Sequence, residues 1–153
     1  FFYLYRQTLI MIKYITLLFS FLVLVSCTIK PKPINYGSDH CRYCEMTVVD
    51  QNHASFYVTK KGKQFNFDSI ECMINDLKDK DETQMAFINV NVFGQPTKTI
   101  EAQKATYLVS PAIKSPMGKN LSAFGTKETA QKTQQENGGN LYTWQQIKTL
   151  IKK

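Results

Sequence analysis

One short segment carries most of the side chains that could do chemistry: His-Cys-Arg-Tyr-Cys-Glu-Met, residues 40–46. Its two cysteines, Cys41 and Cys44, have C-x-x-C spacing, and Met46 follows two residues later. Thiolate and thioether sulfur are soft donors that favour Cu(I), whereas structural zinc sites combine thiolate with imidazole. The segment therefore indicates a Cu(I) site, with His40 as a further candidate ligand.

The C-x-x-C is also compatible with roles that do not involve copper. Cys41 and Cys44 could form a disulfide, serve a thiol–disulfide oxidoreductase, or bind zinc in a structural site. A thioredoxin-like enzyme is disfavoured because its C-x-x-C follows a strand and opens a helix, and this one does not. A zinc site needs further ligands, for which His40, His53 and Cys72 are the candidates. His53 starts a predicted strand and is expected to be a surface histidine.

The other sulfur-bearing side chains have different expected roles. Cys72 falls beside the apolar stripe of a predicted helix, so we expect a buried, inert thiol there, and Met73 belongs to the stripe itself. Met46 taken alone also suits core filling, the usual role of methionine. Met117 lies between a proline and a glycine in a polar loop, where core filling is not expected, so it is free to reach a metal.

The N-terminal residues resemble the secretion signal of a bacterial lipoprotein. From Met11, a basic start leads into an apolar stretch at 15–25, which is too short to cross a bilayer core that needs about 20 residues of helix. Residues 24–27 read Leu-Val-Ser-Cys, like a lipobox in which Cys27 takes the lipid. The expected divisions are a translation artefact, a signal peptide, a tether and a domain, at residues 1–10, 11–26, 27–34 and 35–153.

Lipidation would attach the domain to a membrane on the periplasmic side. Thr28 is not the aspartate that typically retains lipoproteins in the inner membrane, so an outer-membrane location is expected. Without residues 1–26 the chain keeps 17 basic and 12 acidic residues, and with Cys27 lipidated three of its four cysteines remain, an odd number. The lysines have no interleaved aromatic residues, which argues against nucleic-acid binding, and no catalytic motif is recognisable.

The hydrophobic pattern predicts an α+β fold of two ββαβ units, at about 41–94 and 105–150. In the first unit, two strands precede a helix with a capping-box start from Asp68 to Glu71, and a strand follows. Units of about 50 residues are too small to be stable alone, so we expect them to pack together. The predicted strands lie at 53–59, 64–67, 85–93, 105–109, 119–124 and 141–144, with further helices at 127–136 and 145–152.

Taken together, these residues resemble the NosL family, copper-binding lipoproteins that are accessory to nitrous-oxide reductase. The resemblance runs from Asp39 to Trp144 and rests on five blocks in the family's order. One departure is Glu45, where the family pattern has glycine, the residue that most readily adopts a positive φ. The blocks are C-x-x-C-x-M at 41–46, F-D-S-I-E-C-M at 67–73, A-T-Y-L-V at 105–109, P-M-G and A-F within 116–124, and G-G with W within 138–144.

The resemblance implies a monomeric carrier of one Cu(I) ion, not an enzyme, with a fold distantly similar to organomercurial lyase. It implies Cys44 and Met46 as ligands, with Met117 closing the site from the second unit and Cys41 and His40 as second choices. The implied role is maturation of nitrous-oxide reductase in denitrification, or of a related copper enzyme. The implied partners are a membrane transporter complex of that assembly and the copper-accepting enzyme.

Overall fold

The computed structural model describes residues 2–22 and 28–151. The first range is a single helix, α1 (Phe2–Leu22). Cys27 and the rest of the lipobox lie outside the described residues, so the lipid anchor stays a prediction. Within the described ranges, no helix combines the length and the apolar character that crossing a membrane requires.

The first unit is a four-stranded antiparallel sheet in the order β2–β1–β3–β4. The predicted hairpin and the third strand are confirmed to within two residues at each end. The fourth strand was not predicted. The elements are β1 (Ser55–Thr59), β2 (Gln64–Phe67), α2 (Ile70–Asp76), β3 (Met85–Asn91) and β4 (Thr99–Glu101).

The second unit repeats this arrangement with a three-stranded sheet in the order β6–β5–β7. In both units the first strand is central, and the second and third strands pair with it in antiparallel fashion. The expected pair of ββαβ units is therefore confirmed. The elements are β5 (Thr106–Val109), β6 (Leu121–Phe124), α3 (Lys127–Asn137), β7 (Asn140–Tyr142) and the terminal α4 (Trp144–Ile151).

The two units share one hydrophobic core. Tyr57 of β1 and Met73 of α2 are fully buried in the same cluster as Tyr107 of β5 and Ile147 of α4. Helix α2 contacts β6 and α4 in the second unit as well as β1 and β2 in its own. Because α2 is buried against both units, the expectation that they pack together is confirmed, and so is the core position of Met73.

Helix α2 is capped by Ser69, not by Asp68. The Ser69 hydroxyl accepts a hydrogen bond from an amide of the first helical turn at 3.1 Å. The Asp68 carboxylate instead accepts from the amides of Val49 and Asp50, at 2.9 and 3.3 Å. The capping-box prediction was wrong because Asp68 serves a long-range contact, which fixes the segment that follows the C-x-x-C.

Glu71, the expected partner in that capping box, is a buried carboxylate that joins the two units. One of its oxygens accepts a hydrogen bond from the hydroxyl of Ser115, in the turn that carries Met117. Its Oε2 atom has no hydrogen-bond partner among the described residues. The hydroxyl oxygen of Ser115 also accepts a hydrogen bond from the backbone amide of Asn120, at 2.9 Å. The Met117 turn is thereby attached to the helix that contains Cys72.

Candidate metal centre

Three cysteine thiols converge where the segment before β1 meets the first turn of α2. The sulfur atoms of Cys41, Cys44 and Cys72 all lie within 4.8 Å of one another, and all three cysteines are free. Cys41 and Cys72 are 1% and 0% exposed, whereas Cys44 is partly exposed. The burial expected for Cys72 is confirmed. The sequence suggested this thiol as a ligand only for a zinc site, and otherwise predicted an inert thiol, whereas the structure places it beside the other two.

Backbone hydrogen bonds fold the C-x-x-C segment into a tight loop. The Cys41 amide donates to the Met46 carbonyl at 2.7 Å, and the Glu45 amide donates to the Cys41 carbonyl at 2.9 Å. A single β-bridge between His40 and Thr47 closes the loop. Glu45 adopts a φ of +63°, a left-handed conformation that glycine reaches most easily. Glycine, the residue of the family pattern, would suit this backbone, whereas a left-handed conformation costs a residue such as Glu45 about 1–2 kcal/mol.

The edge of the first sheet brings this loop to Cys72. The amide of Arg42 donates to the carbonyl of Asn66 in β2 at 2.9 Å, and β2 leads within two residues to the cap of α2. Because Ser69 bonds the Cys72 amide, the cap fixes the position of Cys72 in the first turn. The convergence of the three thiols is thus a product of strand pairing and helix capping, which the spacing of the cysteines in the sequence does not show.

The three thiols are electrostatically unequal. The pKa of Cys41 is lowered to about 5, mainly by a hydrogen bond from the Cys72 thiol, with help from backbone hydrogen bonds of Cys44, Asp68 and Tyr43 and against the effect of burial. The same thiol–thiol contact, together with burial, raises the pKa of Cys72. Burial raises the pKa of Cys44. At neutral pH Cys41 is therefore the thiolate of the group, and the thiolate is the form that binds metals.

The other predicted ligands lie at the surface. Met46 is 56% exposed and Met117 is 38% exposed, and His40 is also exposed. Within residues 28–151, the large hydrophobic side chains exposed to solvent are these two methionines with Tyr43, Val49 and Leu150. Three of the five belong to the loop of the C-x-x-C or closely follow it. The loop around the partly exposed thiol therefore presents apolar side chains and a thioether at the surface, beside the exposed polar side chains of His40, Arg42 and Glu45.

His53 is not a surface histidine and is not available as a zinc ligand. It is 3% exposed, its Nδ1 atom lies 2.9 Å from the Asp50 carboxylate, and its Nε2 atom lies 3.1 Å from the Ser122 hydroxyl. These contacts occupy both ring nitrogens and link the two units. The group resembles a serine–histidine–aspartate triad, but the fully buried Ser122 is closed to any substrate. Its role in this structure is to connect the units.

Comparison with known proteins agrees with the fold. The profile of the NosL family matches residues 33–151. The chain is similar to the crystal structure of the copper chaperone NosL from Shewanella denitrificans, with a TM-score of 0.66 and 22% sequence identity. That match covers 76% of this chain and 94% of the other. At this level of identity, the likeness establishes a shared α+β fold. By sequence, no curated protein is significantly similar to the chain.

Proposed function

Because this chain belongs to the NosL family, we propose that it carries Cu(I) from one protein to another and does not act as an enzyme. The observation that carries this proposal is the convergence of free thiols at Cys41 and Cys44, close in sequence to the exposed thioether of Met46. Thiolate and thioether donors together select Cu(I) over zinc. A protein with a similar fold is described as a copper chaperone, which supports the same cargo.

The exposure of the sulfur atoms suits a carrier. Cys44 is the accessible thiol of the group, and Met46 and Met117 offer thioethers at the surface. We propose that the ion enters and leaves through these three side chains, with Cys41 and His40 as further donors. Because an incoming sulfur can bind a three-coordinate ion before another ligand leaves, the ion passes to an acceptor without being released into water.

The lowered pKa of Cys41 also suits thiol–disulfide exchange, but its position does not. An attacking thiolate needs access to its disulfide substrate as well as a low pKa. In this chain the thiol of low pKa, Cys41, is 1% exposed, and the more accessible Cys44 has a raised pKa. This distribution is the reverse of what an oxidoreductase requires, so it favours the metal carrier.

The proposed setting is the periplasmic face of a membrane, with the chain attached through lipid on Cys27 and with the outer membrane favoured by Thr28. The proposed acceptor is nitrous-oxide reductase, its membrane transporter complex, or a related copper enzyme. We expect Cys27→Ser to release the protein from the membrane fraction into the soluble periplasmic fraction. Retention of the Cys27→Ser protein in the membrane at the level of the unaltered chain would contradict the anchor.

Competition between metals tests the cargo. The chain should hold Cu(I) against a Cu(I) chelator and keep it in the presence of excess Zn(II). Cys44→Ser removes the accessible thiol, and we expect it to weaken Cu(I) binding by more than the roughly 10–100-fold that is typical for loss of a group supporting a ligand. The measurement is a chelator titration of the anaerobic, reduced protein.

Met73→Ala is the matched control, because it truncates a buried side chain beside Cys72 and leaves every thiol in place. It should lower the free energy of unfolding by about 2–5 kcal/mol without changing Cu(I) affinity. Failure of the unaltered chain to bind Cu(I), or preference for Zn(II), would overturn the proposed function.

A further inference from the structure

We propose that Cys72 is a metal ligand, and that Cys41, Cys44 and Cys72 form a buried three-thiolate site for a thiophilic monovalent ion. The identity of that ion as Cu(I) rests on the proposed function, whereas the set of donors rests on the positions of the three sulfur atoms. The resemblance to the NosL family implied a different set, with Cys44, Met46 and Met117 as ligands and with Cys41 and His40 as second choices, and it did not include Cys72.

The separation of the sulfur atoms suits one ion bound by all three. A metal–thiolate bond is about 2.3 Å long in zinc sites. Three sulfurs arranged around an ion in a plane at about that distance stand about 4 Å from one another. The three Sγ atoms already lie within 4.8 Å of one another. Binding therefore needs movements of less than about 1 Å, which side-chain torsions of the loop cysteines can supply.

The surroundings of Cys72 differ from those of a cysteine used only to fill space. A thiol in an apolar core behaves as a small hydrophobe and is usually inert. Cys72 is fully buried, yet its sulfur lies within 4.8 Å of the sulfurs of both Cys41 and Cys44. A metal ion bonds to these sulfurs in place of their thiol protons, which leave to solvent. The grouping of the three sulfurs is thus a preformed part of a metal site.

Backbone groups accommodate the charge of such a site. Hydrogen bonds of the Cys44, Asp68 and Tyr43 backbone favour a negative sulfur on Cys41, and the Met46 backbone does the same for Cys44. Charge-assisted hydrogen bonds of this kind are stronger than neutral ones. One Cu(I) ion with three thiolates carries a net charge of −2, and these backbone donors stabilise that charge.

Because the sulfurs differ in burial, different side chains bind the ion tightly and exchange it with other proteins. Cys41 and Cys72 are closed to solvent, Cys44 is partly open, and the two methionines are exposed. The ion enters at Cys44 and moves inward to the three thiolates, while Met46 and Met117 serve as transient donors at the surface. The equilibrium affinity therefore depends on Cys72, and the methionines affect mainly the rate of transfer.

The first test is a Cu(I) chelator titration of Cys72→Ser in the full chain, with Cys27→Ser as background to remove the fourth thiol. We expect Cu(I) affinity to fall at least about 100-fold, the upper end of the range for loss of a supporting group. Met73→Ala is the control for fold damage, since it is equally buried and retains all three thiols. Affinity of Cys72→Ser equal to that of the background chain would overturn the three-thiolate site while leaving the carrier function intact.

The second test does not depend on the stability of Cys72→Ser. X-ray absorption at the copper edge counts sulfur neighbours in the Met46→Ala/Met117→Ala double variant. Three sulfur atoms are expected if the thiolates form the site, and fewer than three would contradict it. Absence of Cu(I) binding in the unaltered chain would instead overturn the proposed function, so the two failures are distinguishable.

Discussion

A disulfide between Cys41 and Cys44 is expected to abolish Cu(I) binding. Oxidation removes two electrons and two protons from the two thiols and joins their sulfurs, so neither sulfur remains a thiolate. The sulfurs lie within 4.8 Å of each other, and the closing of a C-x-x-C loop needs little movement of the chain. Because Cys72 alone cannot hold the ion, the expected change in affinity is complete loss, reversed on reduction.

Titration before and after treatment with a diazene thiol oxidant measures this effect. In a Cys27→Ser background the chain has three thiols, so alkylation and mass measurement show one remaining thiol after oxidation. Peptide mapping identifies the pair that has formed, since Cys72 is also within reach of both partners. Undiminished Cu(I) binding by protein in which Cys41 and Cys44 are joined would exclude both as ligands.

Gly139→Ala is expected to be the most destabilising single substitution among the glycines. Gly139 has a φ of +99°, and a Cβ atom there would lie 2.2 Å from the carbonyl oxygen of Val109 in β5. The variant must both adopt a left-handed backbone and push β5 away from β7. We expect the free energy of unfolding to fall by about 2–4 kcal/mol, the sum of backbone strain and overpacking.

Gly62→Ala is the matched control, because Gly62 also has a positive φ, +81°, but no atom within 4 Å of the position of a Cβ. It therefore measures the cost of the backbone conformation alone, about 1–2 kcal/mol. Urea denaturation of both variants gives the comparison. If both lose the same free energy of unfolding, the close approach of Gly139 to Val109 is not a constraint on the fold.

Most of the fold could be predicted because its elements have local signals. The hairpin of β1 and β2, the helix α3 with its Thr126 cap, and α4 follow alternation, capping residues and apolar spacing, and all were placed within two residues. Strand β4 was not predicted because it has only three residues. It is a strand mainly because it pairs with β3, and that pairing cannot be predicted from its own residues. Its sequence, Thr-Ile-Glu, alternates between polar and apolar residues, but three residues are too few for alternation to predict a strand.

The candidate site was predicted in part, for a similar reason. Cys41 and Cys44 are neighbours in sequence, so a motif identifies them. Cys72 is 28 positions beyond Cys44 and reaches the site through the pairing of Arg42 with Asn66 and the cap at Ser69. The family block around Cys72 was a usable signal, since it placed a cysteine in the first turn of a helix, but spacing alone gives no distance between helix and loop.

The division of the three thiols between a helix and a loop has a kinetic consequence. Cys72 is held by α2, and Cys41 is also buried in the shared core, but Cys41 and Cys44 both belong to a loop that is closed by backbone hydrogen bonds and one isolated bridge, and Cys44 is partly exposed. Segments of this kind open at a free energy far below that of global unfolding. An ion bound across both elements would therefore have a residence time set by the opening of this loop. A protein that binds the open loop would shorten that time while the rest of the domain stays folded.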